Sequence, residues 1–197
     1  IGVICENMSD QSWIRYQHFQ LTEIYASIEK KDSYFLQKSL GNAFNNLGFY
    51  YDMQGEIQTA RSYYTQALEK FKEIGYQSGM SISNNNLGYL YQMEGNIVKA
   101  LDHYHQSLLI SEKAGDVEGL AFCSNNIGII YDNQGDYDKA LEYYEKSLTI
   151  YKDLLGEKNT SVATSYNNIG FVYLNKSEYD KALEYYEKSL TIYKDLL

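Results

Sequence analysis

One period governs this chain. The string Asn-Asn-apolar-Gly recurs as NNLGFYYDMQG from Asn45, NNLGYLYQMEG from Asn85, NNIGIIYDNQG from Asn125 and NNIGFVYLNKS from Asn167, at intervals of 40, 40 and 42 residues. Twelve residues after each motif Gly stands Ala60, Ala100, Ala140 or Ala182, then Tyr64, Tyr104, Tyr144 or Tyr186, then a small residue, Ala67, Ser107, Ser147 or Ser189. A period of this length restricts the fold to one supersecondary unit stacked on copies of itself.

Each unit reads as two helices. Leu47, Tyr51 and their equivalents recur at helical spacing in the first, and Ala140, Leu141, Tyr144, Leu148 and Tyr151 in the second, which is expected to run from about Tyr137 to Leu155. Gly55, Gly95 and Gly135 fit the left-handed residue that ends a helix. Asp136 suits the cap of the next one. Ser177 stands where the last unit should have that Gly, at a cost of about 1 kcal/mol. Gly48, Gly88, Gly128 and Gly170 fall in mid-helix, where Gly costs about 1 kcal/mol against Ala. Close approach of the paired helix, with Ala60 and its equivalents opposite, is the expected compensation, the motif Tyr filling the space between neighbouring pairs. The chain contains no Pro, which agrees with helices joined by short turns.

The pattern L-G-x-x-Y, A-x-x-x-Y and a small residue resembles the tetratricopeptide repeat. That family's unit is about 34 residues with a Pro near its end. Here the unit is longer and the Pro is absent, and the two differences fit, because a helix without the Pro can run on for a turn or two. The family's early Trp is replaced by Phe44, Asn84, Ser124 and Tyr166. The linker LLGEKNTSVATSYNNIG from Leu154 is similar to the 42-residue kinesin light chain type, and bacterial signalling proteins also carry long units. The resemblance implies an all-α, right-handed superhelical solenoid of antiparallel helix pairs. The units fall at 34–73, 74–113, 114–155 and 156–197, in one continuous solenoid. Residues 1–33 read as a degenerate half-unit, because Ser27-Ile28-Glu29-Lys30 lies 40 residues before Ala67-Leu68-Glu69-Lys70, although Gln20 replaces the expected Ala. The chain opens on Ile1, and we expect it to be a piece of a longer protein.

The two helices of a unit have diverged unequally. Between Asp136–Leu155 and Glu178–Leu197, 19 of 20 positions agree; between Asp116–Gly135 and Lys158–Ser177, 7 of 20 do: Ala121, Asn125, Asn126, Ile127, Gly128, Tyr131 and Asn133. In the family, first helices line the concave groove and second helices form the outer scaffold. Two readings of the duplication stay open: a scaffold helix interchangeable between copies beside a ligand-facing helix that is not, or a recent DNA duplication ending near Asp136.

Residues at i, i+4 and i+7 share a helix face. From the first Asn of each pair this gives Asn45-Phe49-Asp52, Asn85-Tyr89-Gln92, Asn125-Ile129-Asp132 and Asn167-Phe171-Leu174, with Asn46, Asn86, Asn126 and Asn168 on the shoulder. An amide donates and accepts together, so a ladder of amides can hold an extended peptide backbone, and the aromatic neighbours add apolar contact. The competing reading is that one Asn of each pair only bonds the neighbouring helix. No Lys or Arg stands in the stripe while Asp52 and Asp132 are acidic, so a neutral or basic segment is the expected ligand. The expected function is a non-catalytic, peptide-binding scaffold. The alternative is a ligand-sensing regulatory module of a larger signalling protein whose effector lies elsewhere.

The net charge of −9 disfavours nucleic acid and anionic membranes as partners, and no apolar run reaches membrane length. No phosphate loop, nucleotide fingerprint or nucleophile–base motif is present, and no cofactor is expected. His103 and His105 stand two apart on a helix and cannot share a metal. Cys5 and Cys123 read as free thiols, Cys123 buried, which fits the cytoplasm. Apolar Leu196 and Leu197 at the last unit lead us to expect end-to-end self-association.

Overall fold

A computed structural model describes residues 34–196, and the expected half-unit at 1–33, with Cys5, lies outside the described residues. Eight helices follow one another there: α1 (Tyr34–Met53), α2 (Ile57–Glu73), α3 (Gln77–Met93), α4 (Ile97–Ala114), α5 (Val117–Asn133), α6 (Tyr137–Leu155), α7 (Thr160–Asn175) and α8 (Tyr179–Asp195). The architecture is all-α. The chain divides into two compact units, one up to Leu90 and one from Tyr91.

Within the first unit α1 and α2 pack antiparallel. A Cβ on Gly48 would stand 2.6 Å from the Tyr64 ring, and one on Gly41, two turns earlier in α1, 2.4 Å from Phe71, two turns later in α2. Phe71 is slotted between two glycines, because Gly79 of α3 meets the same ring with a Cβ distance of 2.6 Å. Leu40, Phe44 and Leu47 close this core with Ala67, and Leu87 and Leu90 of α3 pack with Ala60, Tyr64 and Leu68.

In the second unit α5 pairs with α6 and α7 with α8 in the same way. A Cβ on Gly128 would stand 2.8 Å from the Tyr144 ring, and one on Gly170 3.0 Å from the Tyr186 ring and 3.3 Å from the Ala182 carbonyl. Ala100, Tyr104, Ile127 and Ile130 form one core cluster, and Ala140, Tyr144, Ile169 and Val172 the next. The mid-helix glycines thus do admit a close neighbour, but it is the motif Tyr of the same pair. The same Tyr also meets the next pair, as expected: Tyr64 shares a core cluster with Leu87 and Leu90 of α3, and Tyr144 shares one with Ile169 and Val172 of α7. Gly's cost of about 1 kcal/mol is set against a buried aromatic side chain, worth about 1.5–3 kcal/mol. Buried Cys123 meets the Ser107 hydroxyl at 3.0 Å, and burial pushes its thiol up to about 11.

The turns repeat as well. Gly55, Gly95 and Gly135 have φ of 76°, 75° and 78°, and Ser177 takes the same left-handed place at 60°. The Gly135 and Ser177 amides donate to Asp132 and Leu174 carbonyls at 2.9 Å; those of Asp136 and Glu178 reach back to Tyr131 and Tyr173, also at 2.9 Å. Ser177 therefore completes the same C-terminal motif under strain. The following caps differ: the Asp136 side chain accepts from Lys139 N–H, whereas Glu178 makes no side-chain cap bond.

Two expectations follow. Ser177→Gly removes the strain and stabilises by about 1 kcal/mol, seen as a melting temperature higher by about 2–4 °C; an unchanged melt would mean that the turn relaxes around Ser. Gly128→Ala destabilises by about 1–3 kcal/mol despite Ala's better helix propensity, because the Tyr144 ring is buried and cannot retreat. Gly170→Ala costs less, since Tyr186 is only half-buried. Equal denaturation midpoints for the two variants would contradict this ranking.

Candidate functional site

The first helices carry the expected stripe, and each unit places its members differently. In the first unit Phe49 and Tyr89 are exposed, Asn46 is exposed, Asn86 half-buried, and Asn85 buried. Asn45 is half-buried, and its Oδ1 accepts from the Ser83 hydroxyl of α3 at 3.1 Å. In the second unit Phe171 and Asn167 are exposed, while Ile129, Asn125, Asn126 and Asn168 are half-buried. Asn168 Nδ2 donates to Asn125 Oδ1 at 2.9 Å, joining α7 to α5. Asn175 Nδ2 donates to Asp132 Oδ1 at 3.3 Å, between the same helices.

The amides thus stitch first helices to each other. An amide has two donor hydrogens and an acceptor oxygen with two lone pairs, so one internal bond does not exhaust it. What the bond does is hold the amide in one orientation. Stripe positions at the end of the helix have a further internal role. The Tyr104 hydroxyl donates to Gln92 Oε1 at 2.9 Å, so Gln92 serves the buried Tyr of its own pair. Asp52 and Asp132 occupy the equivalent place; burial first, and the charges of these carboxylates second, push the Tyr64 and Tyr144 phenols well above their ordinary range. Burial raises both carboxylates; at Asp132 the bond from Asn175 opposes the rise.

Several surface residues lie outside the expected stripe. Ile82 and Phe122 are exposed one heptad before Tyr89 and Ile129, and Met53 and Met93 four residues after Phe49 and Tyr89. Their signal was the same helical spacing carried one step further. A second feature is a stacked ring pair at each turn: Tyr51 on Tyr63 at 5.4 Å, Tyr91 on His103 at 5.3 Å, Tyr131 on Tyr143 at 5.7 Å and Tyr173 on Tyr185 at 5.4 Å. Lys99, Lys139 and Lys181 lie over Tyr91, Tyr131 and Tyr173 at 4.9–5.0 Å, a cation–π arrangement. The Tyr-Tyr dipeptides at 63, 143 and 185 announced it. His105 lies 6.5 Å from Tyr143, so the two histidines meet different rings. Among the described residues no group of His, Cys, Asp and Glu could hold a metal ion, and no helix is long and apolar enough to cross a membrane. A cleft of about 460 Å³ lies elsewhere, between the α6–α7 linker and α8 around Tyr166. Its Lys158 and Lys188 are already paired with Asp195 and Glu184 at 2.8 and 2.6 Å.

The tetratricopeptide repeat profile matches residues 79–153 and again 133–195, more than half of the chain, and a second profile of the same repeat matches 40–74. The chain belongs to the tetratricopeptide repeat family. No curated protein sequence matches it. Among solved structures it is similar to BtubC (BKLC) from P. vanneervenii, with 25% identity, a TM-score of 0.77 and coverage of 92% of this chain and 75% of that one. It is also similar to the apo form of RapI, at 19% identity and a TM-score of 0.79, covering 93% of this chain and 64% of that one. Aspartyl phosphate phosphatase F from Bacillus subtilis follows at 17% and 0.75, covering 81% and 42%. The chain thus spans about two fifths to three quarters of these proteins. As a tetratricopeptide repeat protein it departs from the common unit in length, besides lacking its Pro and early Trp: the paired helices run 16 to 20 residues, where the 34-residue unit leaves room for less.

The raised carboxylates set a pH dependence. The folded chain holds a proton at Asp132 more tightly than the unfolded chain does. This group therefore subtracts from stability as pH rises from its ordinary value of 3.8 through the raised one. Asp132→Asn, which can still accept from Asn175, raises the melting temperature at pH 7 by about 1–2 °C, small because solvent screens a part-exposed carboxylate. The gain shrinks towards pH 4; a gain independent of pH would show that desolvation is not its origin.

Proposed function

We propose that this chain is a non-catalytic scaffold whose first-helix face binds an extended protein segment, neutral or basic in charge. The observation that carries the reading is an apolar side chain exposed at one repeat position, Phe49 and Tyr89 in the first unit and Phe171 in the second, beside Asn amides held in place by bonds to neighbouring first helices. Exposed aromatics of this kind have apolar area to bury and little rotamer freedom to lose. Internally anchored amides lose less freedom on binding a backbone than free ones, and so serve binding better. Two half-exposed aspartates with no stripe Lys or Arg favour a partner without net negative charge.

Selection from a displayed library of random peptides tests this. Peptides retained by the chain should average neutral to positive charge, and their affinity should fall with added salt when positive. Tyr89→Ala and Phe171→Ala should each weaken binding about tenfold, roughly 1.4 kcal/mol, at an unchanged melting temperature, because both side chains are exposed. Peptides that bind both variants as tightly as the parent chain would place recognition off the first helices. Enrichment of acidic peptides would overturn the charge preference.

A further inference from the structure

Ser124 of α5 and Ser147 of α6 are fully buried, and neither hydroxyl oxygen has a hydrogen-bond partner among the described residues. A buried hydroxyl left unpaired costs about 1–3 kcal/mol. Two in one helix pair call for a physical reason.

The period shows where the two stand. Eighty residues earlier their counterparts are Phe44 and Ala67, which share one core cluster. The register of both pairs is set by the same contact, Tyr64 at Gly48 and Tyr144 at Gly128. Ser124 and Ser147 therefore oppose one another across their pair as Phe44 and Ala67 do. A third hydroxyl comes from the next first helix. Ser107 of α4 meets Cys123 of α5 at 3.0 Å, and the counterparts one repeat later are Ser147 of α6 and Ser165 of α7. Ser165 is 1% exposed and donates its proton to the Ser161 carbonyl at 2.9 Å. Its oxygen keeps acceptor capacity. Three buried hydroxyls thus belong to one level between α5, α6 and α7, where the first pair has an aromatic ring against a methyl group.

A hydroxymethyl group at 124 occupies far less of that level than the Phe44 ring occupies of its own. Space lined by hydroxyls favours water: a buried water needs room for about one probe sphere and some two to four polar partners. The proton inventory also fits. Ser124 and Ser147 each have a proton to give, and Ser165 has lone pairs to receive one. An ion does not fit. Neutral hydroxyls do not compensate the desolvation of a charge, and no group of His, Cys, Asp and Glu among the described residues could hold a metal.

We propose that one water molecule resides between α5, α6 and α7, accepting from the Ser124 and Ser147 hydroxyls and donating to Ser165 Oγ. It joins the third helix pair to the fourth through hydrogen bonds where the first pair uses apolar packing. The site is separate from the first-helix face and stands or falls independently of it.

A high-resolution crystal structure of the chain decides the matter without any substitution. The expected result is one ordered solvent peak within about 3 Å of all three serine oxygens. The proposal is overturned if no such peak is present, for example because Ser124 and Ser147 turn to the Leu120 and Tyr143 carbonyls, as Ser165 turns to Ser161. A variant supplies the second readout. Ser124→Phe/Ser147→Ala copies the first pair and should fill the level with a ring. Its melting temperature should rise by about 2–4 °C, and oxygen-17 relaxation dispersion should count one long-lived water fewer than in the parent. An unchanged water count overturns the proposal. So does a lower melting temperature, because it would show that protein atoms already fill the level. The crystal result stands whether or not the variant folds.

Discussion

The contact on which each helix pair depends is an aromatic ring laid over a glycine. Tyr64 on Gly48, Tyr144 on Gly128 and Tyr186 on Gly170 are the same event in three units, and Phe71 between Gly41 and Gly79 extends it to a neighbouring helix. A Cβ at these glycines falls at 2.4–3.0 Å from ring carbons, closer than packed atoms approach, so the ring and the missing side chain are one feature in two halves. The contact also sets register. Two of them two turns apart along α1 and α2 fix the helices antiparallel and in phase, and the short turns with a left-handed Gly or Ser follow from that phase.

Much of this was legible because it is local. Helix ends are announced by residues within one turn of them, Gly at the left-handed position and Asp at the cap, and the span of α6 could be read off directly. What a one-dimensional spacing does not say is which partner side chain reaches a small residue. Gly128 and Ala140 both read as points of close approach, and only the fold shows that the side chain meeting Gly128 is the ring of Tyr144. The stripe of amides had the same limit. Its positions on the helix face followed from the period. Whether Asn125 looked outward or bonded Asn168 depended on the distance between α5 and α7, which no spacing within one helix contains.

The partners of Gln92 show how an internal role hides inside a surface pattern. Read along the helix, Asp52, Gln92, Asp132 and Leu174 are the ends of four outward triples. Read across the pair, they sit where the hydroxyl of a buried Tyr emerges, and Gln92 accepts from Tyr104. A hydroxyl leaving a core needs an acceptor at the rim, so polarity there is demanded by the Tyr as well as offered to a ligand. Leu174 offers no acceptor to Tyr186.

The unequal divergence of the two helices now has a physical description. Of the seven first-helix positions that agree between the last two units, Gly128 carries the Tyr144 ring, Tyr131 stacks on Tyr143, Ala121 shares a core cluster with Tyr151, and Ile127 is fully buried. Asn125 and Asn168 bond one another across the last two repeats, within the second unit. The second helix is the same in both repeats, so the first-helix side chains seated in the core against it are held to one shape, while exposed positions are less constrained: Phe122 stands against Thr164. This account needs no ligand to explain why the constant positions are constant. It leaves the exposed positions as a place where selection for a partner can act without disturbing the pair, although the repeats differ at buried positions too, Cys123 against Ser165 and Ile130 against Val172.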